Sequence, residues 1–137
     1  MLRLSLVYRH ALLVGFGLVL ADPASSLAGS YNLTIDPITV DAGSFSRSGV
    51  GFNGASPGPI LRFKEGEVVT INVTNNLSEE SSVHWHGLIL PFQQDGVPDI
   101  SYEGIAPGET FTYNFPIQQS GTYWFHGFDT LTPDPKA

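Results

Sequence analysis

The chain has 137 residues, with 6 Lys and Arg against 13 Asp and Glu, 4 His and no Cys. This length is enough for one domain and hardly for two. So few basic residues cannot neutralise a phosphate backbone, which argues against nucleic-acid binding. Without Cys the chain can form neither disulfides nor thiolate metal sites, so any metal site must use His or carboxylate ligands.

The N-terminus has the profile of a signal peptide. The first ten residues carry two Arg and no acid, and residues 11–20 are wholly apolar. That apolar run is about half of the roughly 20 residues that a membrane-spanning helix needs, so we expect no stable membrane anchor. We predict a signal peptide over residues 1–28, with cleavage before Gly29 or earlier near Ala21, and a periplasmic or secreted product.

Short runs of β-forming residues alternate with Gly, Pro, Asn and Asp clusters over the rest of the chain. No run of ten or more residues keeps a helical period. Apolar and polar residues alternate in the two clearest predicted strands, 67–76 and 109–115. A third predicted strand, 121–126, is aromatic, and two weaker ones are predicted at 31–36 and 59–63. The pattern predicts an all-β sandwich or barrel that forms a single domain over residues 29–137.

Three histidines of the predicted domain are candidate metal ligands. His84 and His86 flank Trp85, and the period of two in a strand sends both imidazoles to one face, with Cα atoms about 6.5 Å apart. His126 ends an aromatic strand and reaches the same point if the two strands adjoin. The spacing suits one metal or two neighbouring metals, either copper or zinc. The competing interpretation is that each His is a hydrogen-bonded structural side chain.

Other polar residues give weaker signals for chemistry. Asp95 and Asp99 flank a Gly-Val-Pro sequence, which favours a role in a turn over acid–base catalysis. Ser81, Ser82 and Ser120 lie near the histidines in sequence, but no nucleophile-elbow pattern accompanies them. Metal binding is therefore the strongest chemical hypothesis.

Three long segments resemble the first cupredoxin domain of multicopper oxidases, most of all the periplasmic copper-resistance oxidases and then laccases. These segments are NGASPGPILRFKEGEVVTINVTNNL, SVHWHGLILPFQQDGVPDIS and GIAPGETFTYNFPIQQSGTYWFHG. The resemblance implies a Greek-key, cupredoxin-like β-sandwich and copper as the cofactor. It also implies that His84 binds the mononuclear copper of a trinuclear cluster, and that His86 and His126 each bind a copper of the binuclear pair.

The chain also departs from this family. A second His-x-His motif is expected, but the chain has His126-Gly127-Phe128, so one ligand is absent. The tail 128–137 diverges, and the remaining cupredoxin domains, which are the expected partners, are not in this sequence. The favoured hypothesis is an N-terminal domain or fragment of a multicopper oxidase that binds copper and is inactive alone. The alternatives are a free-standing exported copper-binding cupredoxin and a three-histidine zinc site.

Overall fold

Six strands arranged in two sheets make up the part of the chain that the computed structural model describes, residues 29–41 and 43–129. The strands are β1 (Gly29–Asp41), β2 (Ser46–Phe52), β3 (Val68–Asn75), β4 (Ser81–His86), β5 (Thr110–Pro116) and β6 (Trp124–Asp129), with one 3-10 turn at Phe92–Gln94. The predicted signal peptide, residues 1–28, lies outside the described residues. No helix in those residues has the length and apolar character needed to cross a bilayer.

The larger sheet has the strand order β2-β1-β3-β5, and the smaller sheet pairs β4 with β6. The pair β1 and β3 is parallel, whereas the other pairs are antiparallel. The chain therefore passes from the larger sheet to the smaller one after β3, returns for β5, and crosses again for β6. The all-β prediction is confirmed.

The core lies between the two sheets because the strands alternate as their sequences predict. Val69, Ile71 and Val73 of β3 are fully buried, and Tyr113 and Phe115 of β5 face the same interior. The predicted strands over 67–76 and 109–115 are thus confirmed with small changes at their ends. Full burial of an apolar side chain stabilises the fold by about 1.5–3 kcal/mol, so this layer supplies a large part of the driving force for folding.

Trp85 joins the small sheet to this core. Its ring lies 5.3 Å from the Tyr113 ring, 5.7 Å from Phe115 and 5.6 Å from Phe125. The Tyr113 hydroxyl accepts a hydrogen bond from the backbone N–H of Val83, and burial raises the pKa of this phenol. Tyr113 therefore stays protonated and hydrogen-bonded to the backbone of β4. This contact helps to set the distance between β4 and the larger sheet.

Two predicted elements differ in the structure. β2 was not predicted, because it is an exposed edge strand whose sequence, SRSGVGF, has little alternation of apolar and polar residues. Residues 59–63, predicted as a strand, belong to neither sheet among the described residues. The predicted strand over 121–126 begins only at Trp124, and the one over 31–36 is part of the longer β1.

Asn75 fixes the entry to β4. Its buried amide donates to the carbonyls of Glu79 and Ile105 at 2.7 and 2.8 Å, and its Oδ1 accepts from the N–H of Leu77. Ile105 in turn exchanges two backbone hydrogen bonds with Ser81, the first residue of β4. The side chain therefore joins the loop before β4 to the segment that runs beside it.

Asn75→Ala is expected to lower the free energy of unfolding by about 2–4 kcal/mol, because it removes three hydrogen bonds of a fully buried side chain and leaves a cavity in its place. Urea denaturation measures this loss. The control is Asn76→Ala, which removes an exposed hydrogen bond to Asp36 and should cost less than about 1.5 kcal/mol. Equal losses in the two variants would contradict the role assigned to Asn75.

Candidate metal centre

The three candidate histidines meet on the small sheet. β4 and β6 pair in a register that sets His84 directly opposite His126. The ring centroids of His84 and His86 are 5.5 Å apart, those of His84 and His126 5.4 Å, and those of His86 and His126 5.9 Å. The structure therefore brings the sequence-predicted residues together, as expected for adjoining strands.

The separations of the imidazole nitrogens suit metal coordination. One ligand atom from each of the three rings lies within 4.8 Å of the others. Two nitrogens bound to one ion at about 2.0–2.1 Å are at most about 4.2 Å apart. Small rotations of the rings would bring the three nitrogens close enough to bind a single ion. Without such rotations, the separations suit ligands that bind neighbouring ions.

The centre lies on the outer face of the small sheet, opposite the core. Along β4, Val83 and Trp85 are buried, whereas His84 is half-buried and His86 is exposed. On β6, Phe125 packs against Trp85 and so places His126 on the outer face. The apolar core thus determines where the histidines point, and the ligand face stays open.

Backbone carbonyls orient two of the imidazoles. Nδ1 of His84 lies 2.7 Å from the carbonyl oxygen of Asp95, and the Asp95 carboxylate lies 3.5 Å from the same nitrogen. A carbonyl can only accept a hydrogen bond, so Nδ1 donates and Nε2 is left free to bind a metal. Nδ1 of His126 is 3.2 Å from the carbonyl of Gly127, which favours the same tautomer.

The sequence around Asp95 predicts only a turn, and the contact of Asp95 with His84 was not predicted. The contact joins residues 11 positions apart in the chain. It depends on Gly96, whose φ of 80° carries the chain back against β4. A Cβ at Gly96 would lie 1.8 Å from the carbonyl oxygen of Val83, so only glycine permits this approach. The Asp-Gly pair was the signal that could have revealed the contact.

Aromatic rings flank the imidazoles. The Trp124 ring lies 4.8 Å from that of His86 and 4.9 Å from that of His126. On the other side of His126, the Phe128 ring is 5.2 Å away, and it also lies 5.7 Å from His84. Phe128 therefore stands beside the imidazoles at the position where the resemblance implies another ligand.

Comparisons with known proteins agree with this geometry. Residues 33–132 match the family model described as multicopper oxidase. The chain belongs to the multicopper oxidase family. The match extends to residue 132, and most of the tail that was predicted to diverge, residues 130–137, lies outside the described residues. The members of this family bind copper, which confirms the predicted cofactor.

Two curated relatives show the extent of the likeness. Copper resistance protein A of Escherichia coli is 46% identical over 109 residues, covering 79% of this chain and 18% of that protein. Laccase-2 of Botryotinia fuckeliana is 38% identical over 112 residues, covering 80% of this chain and 19% of that protein. The chain thus spans about a fifth of the length of these relatives.

Solved structures show the same local fold. A multicopper oxidase from Pseudomonas thermotolerans aligns with a TM-score of 0.73 and 32% identity, covering 77% of this chain and 26% of that one. Blue copper oxidase from Nitrosomonas europaea aligns with a TM-score of 0.71 and 36% identity, covering 74% of this chain and 33% of that one. The fold of this chain therefore matches a quarter to a third of each of these longer proteins.

Gly96→Ala is expected to displace the loop that holds His84. A suitable control is Gly108→Ala, which meets a similar φ of 78° in open space and should cost about 1 kcal/mol through strain alone. Gly96→Ala should lose at least about 2 kcal/mol more, because its Cβ collides with backbone. Urea denaturation measures stability, and nitrogen-15 NMR of the imidazoles measures the His84 tautomer. An unchanged tautomer in a folded Gly96→Ala protein would contradict the role of this turn.

Proposed function

We propose that His84, His86 and His126 bind copper through their imidazole nitrogens. The observation that carries the proposal is the convergence of all three rings on one face, with Nδ1 of His84 held by the Asp95 carbonyl. Neutral imidazole is a favoured ligand for copper, and the chain offers no thiolate as a competitor. Copper held there would supply one-electron redox chemistry.

The finer assignment divides the ligands within a trinuclear cluster. His84 would serve the mononuclear copper, and His86 and His126 one copper each of the binuclear pair. The 4.8 Å limit on the nitrogen separations supports ligands shared among neighbouring ions. In this assignment Phe128 leaves the binuclear pair one ligand short, and its ring instead packs on His84 and His126.

The remaining ligands would come from other cupredoxin domains of a longer oxidase. The chain covers only 18% of copper resistance protein A, which leaves ample polypeptide for further domains in that relative. The exposed His86 and the 60% exposed Trp124 leave the ligand face open to such a partner. In this role the chain is the Greek-key cupredoxin-like first domain, exported to the periplasm or beyond, of an oxidase that serves copper resistance.

A second candidate function is a free-standing copper-binding cupredoxin without redox turnover. It is favoured by the fact that three ligands converge within this chain without any contribution from another domain. Both candidates require copper at the same histidines, and they differ in whether a second protein surface completes the centre. A zinc enzyme is less well supported, because the Asp95 carboxylate beside these imidazoles faces Nδ1 of His84 and not the Nε2 that would bind a metal.

His84→Ala combined with His86→Ala is expected to abolish copper binding. In the unaltered chain, divalent copper should bind more tightly than zinc, as nitrogen ligands favour it, and binding should weaken as the pH falls because protons compete for imidazole. Competition titration with a copper chelator measures both effects. The control is the double variant Thr74→Ala and Thr110→Ala, which removes an exposed hydrogen-bonded pair on the other sheet. Unchanged copper affinity in the histidine variant would refute the ligand assignment.

Phe128→His is expected to increase copper affinity without creating oxidase activity. The new imidazole would stand beside His84 and His126, but four-electron reduction of dioxygen also needs the ligands and the electron-entry site expected in other domains. Chelator competition measures the affinity, and an oxygen electrode with a phenolic substrate measures turnover. Phe128→Leu is the matched control and should leave affinity nearly unchanged. Steady dioxygen consumption by the purified chain, after removal of free copper, would contradict this assignment.

A further inference from the structure

The pairing of β4 with β6 ends at one of the proposed copper ligands. Its last pair sets His86, the final residue of β4, opposite Trp124, the first residue of β6. Nδ1 of His84 and Nδ1 of His126 each lie beside a backbone carbonyl, whereas no hydrogen bond to the His86 imidazole is found within the part of the chain that the structure describes. The direction of this exposed imidazole therefore depends on how firmly the backbone is held where the pairing ends.

A side-chain amide takes the place of a strand partner just beyond His86. Oε1 of Gln119 accepts a hydrogen bond from the backbone N–H of Ile89 at 2.9 Å, and Nε2 donates one to the carbonyl of Gly87 at 2.9 Å. A residue of a neighbouring parallel strand would bond in the same way to a carbonyl and to the N–H two residues later. The partners also fix the orientation of the amide, because an N–H only donates and a carbonyl only accepts.

The Gln119 amide is also tied to the chain that enters β6. Its Nε2 donates a second hydrogen bond to the hydroxyl of Tyr123 at 2.8 Å, and that hydroxyl donates to the carbonyl of Ser120 at 3.0 Å. Tyr123 directly precedes Trp124, whose ring lies 4.8 Å from that of His86. One half-buried side chain thus connects the residue that follows His86 to the residue that precedes Trp124.

The turn that Gln119 holds is packed closely against Tyr123. Gly87 has a φ of 82°, and a Cβ at this position would lie 3.3 Å from Cδ1 of the Tyr123 ring. The chain then folds back, and the N–H of Leu88 bonds to the carbonyl of Trp85 at 3.2 Å. Movement of the turn is therefore transmitted directly to the end of β4.

We propose that Gln119 is the positioning residue for His86, a role that rests on the copper site proposed above. Its amide keeps the His86 imidazole against the ring of Trp124 and within reach of the other two ligands. The ring centroid of His86 is 5.5 Å from that of His84 and 5.9 Å from that of His126. Gln119 would act on the metal only through His86, by limiting the directions that this imidazole can take.

The first test compares Gln119→Met with the unaltered protein in the metal-free full chain, by NMR. Methionine has a similar length but cannot replace the amide donors and acceptor. Hydrogen exchange of the Ile89 amide should quicken by about tenfold, because its hydrogen bond is lost. Nuclear Overhauser contacts between the rings of His86 and Trp124 should weaken. Gln118→Met is the matched control, since Nε2 of Gln118 donates to the carbonyl of Ile89 at 3.2 Å and leaves the Ile89 N–H untouched.

The second test measures the affinity for divalent copper by competition with a chelator. Gln119→Met should weaken binding by about tenfold, as is usual when a group that orients a metal ligand is removed. In a chain that already carries His86→Ala, the same replacement should change the affinity by less than about twofold, because the imidazole that it positions is gone. A merely structural role of Gln119 would give the same loss of affinity in both chains.

Tyr123→Phe provides a second, milder variant. It removes one of the three bonds of the Gln119 amide, so the loss of copper affinity should be smaller than in Gln119→Met and should also disappear in the His86→Ala chain.

Three outcomes would overturn the proposal: an unchanged Ile89 amide and unchanged ring contacts in Gln119→Met, equal effects of Gln118→Met and Gln119→Met, or losses of affinity that persist in full without His86. Failure of the unaltered chain to bind copper would refute the proposed function instead. The measurements on the metal-free chain would then still decide whether Gln119 orients His86.

Discussion

The antiparallel pairing of β4 with β6 is the constraint on which the candidate centre depends. It sets His84 opposite His126, and the alternation of side chains then places His86 on the same face and Trp85 on the other. A slip of one residue would exchange these faces and bury imidazoles in the core. The contacts of Trp85 with Tyr113, Phe115 and Phe125 oppose such a slip, so the packing of the sandwich also orients the ligands.

The sequence pattern predicts those strands that bury one face in the core and expose the other. β3 and β5 alternate cleanly because one face of each packs in the core, and the His-Trp-His sequence follows the same rule. β2 could not be predicted because both of its faces are largely exposed, so its sequence carries no apolar period. The contact between His84 and Asp95 was missed because it depends on the folded-back chain at Gly96 and not on any local periodicity.

The mismatch at residues 59–63 has a different origin. Their sequence and their burial pattern are those of a strand, but a strand also requires a hydrogen-bonding neighbour. That neighbour is lacking among the described residues, so the segment joins neither sheet.

The most direct test of the metal centre is a nitrogen-15 NMR spectrum of the histidine side chains with one equivalent of monovalent copper, which is diamagnetic. We expect the Nε2 resonances of His84 and His126 to shift on copper binding. The Nδ1 atoms of both side chains should remain protonated and hydrogen-bonded to the carbonyls of Asp95 and Gly127. His86 should shift as well. Coordination of His84 through Nδ1, or unchanged resonances for these three side chains, would contradict it.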